Sequence, residues 1–597
     1  MKKRLLLLLA FVMMVVGSTA AQEETAEPIS LDQYDRVLLR LLQELLDPDL
    51  RALGEFPTYE LIANGDDPLY IAPLLDIAYF TRSSSLRTVN TLIFESLMKF
   101  TEQDFGTDWR AYYEWASAND VALPPSYDLF KGALLATAID PDFARFFDDV
   151  QATAQINLLE VVWGGVAVDG IPSLVNARQI SPQEAVEEGR TFVQYCRNGD
   201  CRYPEPDEYV FGVSINGDNR AYPLRLLNWH EMFNDVIGRA PLYAAPDGEE
   251  VCQFRAPVQF TAVQRQGDAW VRVTGESAGC PAGGWLANPE TLIWEGGTWA
   301  EVRDALPDSD ADALDPATSA VFGQVDGLPV MLAYCTLCGS GILYNPTIDN
   351  LMVEGENLGT VTLEFGSSGL LMRSNKLMYD RTTDTVWNAI TGEPAFGALA
   401  ESGIQLERLP VVVTDWRTWL EEHPDTSVLS LNTGYDRDYR NGAAYSDYFN
   451  DPNFVMFPVW QQDVRQQENK DVIFALLLED TPKAYPLATI IPEQVTNDTL
   501  AGVNLVIVSR ETPRRQFFEP GGASVRAYER GEHTFSPGEN HTQITDENGV
   551  IWRVTEEALV HPDGDTLPRL PGHLAFWFGW YGFYPETLVY GDAPVTE

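Results

Sequence analysis

The sequence predicts an α+β protein in which a helical N-terminal domain is followed by an internally duplicated, mostly β domain. Three observations carry this. Residues 28 to about 150 place apolar side chains at helical spacing. From about residue 151, short β-branched and aromatic runs alternate with Gly, Pro, Asn and Asp turns. Two blocks of this second part then recur, in the same order, further along the chain.

In the helical part, Ser30-Leu31-Asp32-Gln33 is a capping-box pattern. It opens a run with Val37, Leu38, Leu41, Leu42, Leu45 and Leu46 on one face, and Asp47-Pro48 stops it. A second stripe joins Leu86, Val89, Ile93, Leu97 and Phe100, and shorter helices are expected over Asp108 to Trp115 and Pro141 to Val150. Trp109, Tyr112, Tyr113 and Trp115 read as core, and no cluster of ligand-type residues stands out here.

The repeat rests on two blocks. Val210-Phe211, Ala221-Tyr222-Pro223-Leu224 and Asn234-Asp235 match Ile473-Phe474, Ala484-Tyr485-Pro486-Leu487 and Asn497-Asp498, each pair 263 positions apart. Arg408-Leu409-Pro410, Trp416, Trp419 and Pro424-Asp425-Thr426 match Arg569-Leu570-Pro571, Trp577, Trp580 and Pro585-Glu586-Thr587, now 161 positions apart. Trp387 and Trp552 pair between them. The change of offset puts an insertion of about 88 residues into the first copy, at 239–326. The expected units are a helical domain at 28–150, a first copy at 160–432 and a degenerate second copy at 468–592. Residues kept in both copies are candidates for the fold, and residues found in one copy are candidates for function or drift.

The first 21 residues have the order of a secretory signal peptide: Lys2, Lys3 and Arg4, an apolar stretch from Leu5 to Val16, then small residues up to Ala20-Ala21. The mature protein is therefore expected to be secreted or otherwise extracytoplasmic, with no integral membrane segment after cleavage. The formal charge of −48 repels the phosphates of nucleic acid and the headgroups of anionic lipid, so neither is an expected partner. A small molecule or a protein remains.

All six cysteines lie between Cys196 and Cys338. In an oxidising compartment pairing is the default, and Cys196–Cys201 and Cys252–Cys280 make sensible staples, the second inside the insertion. Cys335 and Cys338 differ. They form a Cys-x-x-Cys-Gly turn between two strands, and the second copy has Arg510-Glu511-Thr512-Pro513 at that place. The first copy alone also carries Asn228-Trp229-His230-Glu231 on a short helix, against Ile491, Pro492, Glu493 and Gln494 in the second. Three readings compete for the thiols. Thiolates with imidazole suit zinc or copper, a redox pair needs no metal, and an inert pair needs no function. The candidate metal ligands are Cys335, Cys338, His230 and His573, the last because Val412 replaces it in the first copy. Glu231, Tyr334 and Ser340 are their expected supporting neighbours. His423, His533, His541 and His561 lie in polar, turn-like stretches and are expected to be exposed. The nucleophile elbow, the Walker loop, the dinucleotide glycine fingerprint and the His-Glu-x-x-His zinc motif are all missing.

These residues resemble a mainly bacterial family known as domain of unknown function 3179. The resemblance spans about residues 160 to 592. Its marks are Asp169-Gly170-Ile171-Pro172, Trp229-His230-Glu231, Tyr334-Cys335-Thr336-Leu337-Cys338-Gly339-Ser340, Met378-Tyr379-Asp380-Arg381 and His573-Leu574-Ala575-Phe576-Trp577-Phe578. Members usually carry Pro where this chain has Thr336, and the insertion at 239–326 is not typical of them. The resemblance implies no established activity; it marks His230, Cys335, Cys338 and His573 as positions to test. The expected function is a soft-metal or redox site in the first copy, using zinc or copper or no cofactor. A metal-free thiol oxidoreductase and a binding module without chemistry are the alternatives.

Overall fold

The computed structural model describes residues 33–82, 86–196, 199–275, 280–308, 320–459, 467–512 and 522–592. Residues 1–21, where a signal peptide is expected, residues 30–32 of the capping-box pattern and residues 309–319 of the insertion lie outside the described residues. No helix among those described is long and apolar enough to cross a membrane.

The N-terminal unit is helical. Its first helix, Gln33–Leu46, ends where Asp47 was expected to stop it, but Asp47 also starts the next helix. Its carboxylate accepts the Asp49 and Leu50 amides, and Pro48 takes the first turn of Pro48–Leu53. Arg87–Thr101 buries Val89, Ile93 and Leu97. Asp108 caps Trp109–Ala118 by accepting the Ala111 amide, and Trp109, Tyr112 and Tyr113 are core. The Pro141 segment forms only a 3₁₀ turn, Pro141–Phe146. Ile71–Thr81 and Tyr127–Ala138 bury residues on nearly every face. They therefore carry no amphipathic stripe for a sequence pattern to show. This core continues into the β body through Leu370, Leu371 and Met372, on a strand that pairs with Val161–Trp163.

The β body repeats one topology twice, pair by pair. In the first copy Val412–Asp415 pairs with Tyr209–Ile215, that strand with Asp218–Pro223, and that in turn, in parallel, with Ser427–Leu429. In the second copy His573–Phe576, Val472–Leu478, Thr481–Pro486 and Leu588–Val589 follow the same order. The registers correspond as well: Val412 faces Gly212 as His573 faces Ala475, and Met331 faces Tyr344 as Val506 faces Tyr528.

Side-chain bonds repeat too. Asn234 exchanges two hydrogen bonds with the Phe365 backbone, both 2.9 Å; Asn497 does the same with Phe535, at 2.7 and 2.9 Å. Tyr222 donates to Asp235 and Tyr485 to Asp498. The Trp419 indole donates to Thr426 and that of Trp580 to Thr587. The copies interlock reciprocally, with Ser340–Asn345 packed on His573–Phe576 and Ala523–Glu529 on Val412–Asp415.

The insertion folds on itself. Strands from Arg239–Tyr243 to Val321–Val325 form a seven-stranded sheet around a separate core that includes Leu242, Phe254, Val271 and Trp294. Cys252 and Cys280 are joined there, and Cys196 is joined to Cys201 in the body.

Candidate functional site

The cysteine turn is built by pairing. Leu328–Cys335 runs antiparallel to Ser340–Asn345, with Cys335 opposite Ser340. Gly339 makes the turn in the left-handed region, φ 61°. Cys335 and Cys338 are joined as a disulfide. Cys338 is fully buried, Cys335 retains 4% of its surface, and the Cys338 sulfur lies 3.4 Å from the Ser340 hydroxyl. The second copy closes over the turn from one side. The Phe576 amide donates to the Cys338 carbonyl at 2.8 Å. A methyl group at Gly579, in the helix Trp577–Tyr581, would stand 2.7 Å from Cys338 Cβ.

The Trp-His-Glu segment reaches the same turn through Glu231. Leu224–His230 is helical, and Glu231 ends the helix in the left-handed region, φ 54°. Its carbonyl accepts the Tyr334 amide at 2.7 Å, which ties the helix end to the strand leading into the cysteines. Its carboxylate accepts the Thr336 hydroxyl on one oxygen, at 3.1 Å, and the Lys376 ammonium on the other, at 2.8 Å. All three side chains are buried.

His230 points elsewhere. Nδ1 lies 2.8 Å from the Pro172 carbonyl and Nε2 lies 2.6 Å from the Tyr439 hydroxyl. A carbonyl can only accept, so Nδ1 carries the proton and Nε2 accepts from Tyr439. Both nitrogens are in use, and burial lowers the imidazole pKa to about 4. His573 lies on the strand beside Ser340–Asn345, but its ring packs on Trp580, 5.7 Å between centroids. Its Nε2 is buried with no hydrogen-bond partner among the described residues. Burial and the nearby Arg408 charge lower its pKa to about 3.

The four expected ligands are thus not gathered into one cluster. The left-handed turn at Glu231 sends the carboxylate toward the cysteine turn while the preceding imidazole faces Pro172 and Tyr439. Two groups of three ligand-type side chains do converge among the described residues, Glu422 with His423 and Glu556, and His533 with Asp546 and Glu547. Neither includes an expected ligand, and Arg526 already holds Glu422 and Glu556. The four histidines expected to be exposed are instead half-buried, each beside a carboxylate.

The segment joining the copies covers both His230 and the disulfide. Tyr439 covers His230, and the Trp229 indole donates to the Asp438 carbonyl at 2.8 Å. Tyr448, Phe449, Val455 and Val459 pack around the disulfide. Tyr448 donates to the Leu337 carbonyl, and Ser374 donates to the Pro458 carbonyl.

At corresponding positions the second copy keeps the scaffold and drops the chemistry. Ser340 recurs as Ser524, each facing the same strand position, so this serine belongs to the fold. Cys335 is replaced by Arg510 and Glu231 by Gln494, which keeps the left-handed backbone with φ 62°. The Met378–Trp387 and Ile544–Trp552 pairings align Lys376 with Thr542. The thiols and the buried ion pair are therefore absent together. Lys376 carries no motif in the sequence; its one signal is that it is a lysine within a strand of a chain with only seven lysines.

No curated protein and no solved structure matches the chain. One family model does, described as a protein of unknown function (DUF3179), over residues 168–244 and 319–587. The gap falls on the inserted sheet, and the two matched stretches make up more than half of the chain, so the protein belongs to the DUF3179 family.

Proposed function

We propose that this is an extracytoplasmic thiol–disulfide redox protein in which Cys335–Cys338 is the bond that exchanges. The observation that carries this reading is the pairing of a disulfide across one tight turn with a second copy that keeps the fold without it. A bridge of three-residue separation gains only about 2 kcal/mol in the chain-entropy model, less than the longer loop closed by Cys252–Cys280. The other two bridges, with export by the N-terminal signal, fit an oxidising compartment.

Cys335 is the less buried of the two residues, and its sulfur is the one attacked. A thiolate of a partner dithiol bonds to it, the Cys335–Cys338 bond breaks, and Cys338 leaves as a thiolate beside the Ser340 hydroxyl. The partner's second thiol then displaces Cys335. The partner ends as a disulfide, and this protein holds two thiols, having gained two electrons and two protons. The roof of Tyr448, Phe449, Val455 and Val459 must open locally for the first attack.

The test is exchange with a model dithiol peptide at neutral pH, followed by the appearance of peptide disulfide. Wild type should oxidise one equivalent of peptide, and Cys335→Ser with Cys338→Ser should oxidise none. Equal oxidation by both would refute the reading. Zinc or copper on the reduced sulfurs is the competing use, and stoichiometric zinc uptake by the reduced protein would favour it.

A further inference from the structure

The redox reading leaves a buried ion pair unexplained. Glu231 and Lys376 lie 145 residues apart in sequence and meet at 2.8 Å with side chains 11% and 4% exposed. Burying two charges is costly, and apolar replacements of such pairs are often at least as stable. The fold does not need this one, because the second copy places Gln494 and Thr542 there and keeps the same strand registers. The first copy keeps it beside the disulfide. Glu231 accepts from Thr336, the residue that follows Cys335. Asn375, next to Lys376, donates to the Gly579 carbonyl, and Gly579 sits against Cys338 so closely that an added methyl would meet it.

We propose that Lys376 and Glu231 are positioning residues that set the reduction potential of Cys335–Cys338, which rests on the redox reading of that bond. Reduction by a dithiol delivers two electrons and two protons to the two sulfurs. At pH 8 the fraction of the reduced pair that keeps a thiolate carries a new negative charge in a buried site, where fixed charges act over longer distances than in water. The Lys376 ammonium stabilises that charge and the Glu231 carboxylate opposes it. Their contact at 2.8 Å holds the two influences near balance, and the Thr336 hydroxyl fixes which oxygen of Glu231 faces the turn.

Balance gives the proposal a signed test. Full-length mature protein is equilibrated with reduced and oxidised dithiothreitol at pH 8, and the Cys335–Cys338 peptide is quantified after alkylation. Glu231→Gln leaves Lys376 unopposed, so the thiols form more readily, with the equilibrium displaced about tenfold toward the reduced form, about 30 mV less negative. Lys376→Met leaves Glu231 unopposed and displaces it about tenfold the other way. The double variant should return to near the wild-type potential, and it guards against a single variant that folds poorly. The pH midpoint of alkylation of the reduced protein should fall in Glu231→Gln and rise in Lys376→Met. Potentials that stay equal, or that move in the same direction in both single variants, would overturn the proposal and leave the pair structural. Failure of wild type to be reduced at all while native would instead overturn the redox reading itself.

Discussion

Gly579→Ala isolates the contact between the copies at the disulfide. The added methyl would lie 2.7 Å from Cys338 Cβ and 3.2 Å from the Asn375 amide oxygen, whereas carbon atoms prefer about 3.5–4.0 Å. Relief requires a shift approaching 1 Å between the helix Trp577–Tyr581 and the cysteine turn. Neither side moves freely: the Phe576 amide holds the Cys338 carbonyl at 2.8 Å, and Asn375 holds the Gly579 carbonyl at 2.9 Å. Overpacking of this kind costs about 1–3 kcal/mol, and the better helix propensity of Ala returns at most about 1 kcal/mol. A net loss of about 1–2 kcal/mol is expected, read from the urea midpoint at constant slope. The corresponding helix in the first copy carries Thr418 at this place, so a side chain there is compatible with the fold when no cysteine turn lies beneath. A Gly579→Ala protein as stable as wild type, with its Cys335–Cys338 bond reduced at the wild-type rate, would refute the close-contact argument.

Three further outcomes follow from other parts of the structure. His230 is held neutral in the fold, with a pKa of about 4 set by burial, against about 6.5 unfolded. As the pH falls below about 6.5 the unfolded chain takes up the proton first, so stability is full above that value and about 3 kcal/mol is lost by about pH 4. His230→Asn should flatten that part of the stability curve in urea titrations between pH 7.5 and 4.5. Asn234→Ala and Asn497→Ala each strand a backbone donor and acceptor and should each cost about 1–3 kcal/mol; a loss at only one site would argue against equivalent copies. Removing Cys252–Cys280 should cost about 3–4 kcal/mol and raise amide exchange across the inserted sheet while the Asp218–Pro223 strand stays protected.

What the sequence reveals here is what is local. The Cys-x-x-Cys-Gly turn, the helix ending at Glu231 and the repeated Ala-Tyr-Pro-Leu and Asn-Asp blocks are short patterns, and the strands form over them. The change of offset between repeated blocks locates the inserted sheet without any knowledge of its fold. Lys376 and Tyr439 stay hidden because their partners are 145 and 209 residues away, and Gly579 acts by being small next to a residue of the other copy. The separate placement of His230 is hidden for a related reason. Proximity in sequence placed His230 with Glu231, but the left-handed turn between helix and strand sends their side chains to different neighbours.

The central claim is that Cys335–Cys338 is a working redox bond while the other two bridges are structural. Bond-specific titration tests it most directly: native mature protein is poised across a range of dithiothreitol potentials, quenched by alkylation and mapped by mass spectrometry. The account predicts that Cys335–Cys338 opens reversibly in the folded protein, while Cys196–Cys201 and Cys252–Cys280 remain closed over the same range. A Cys335–Cys338 bond that opens only when the protein unfolds would contradict it.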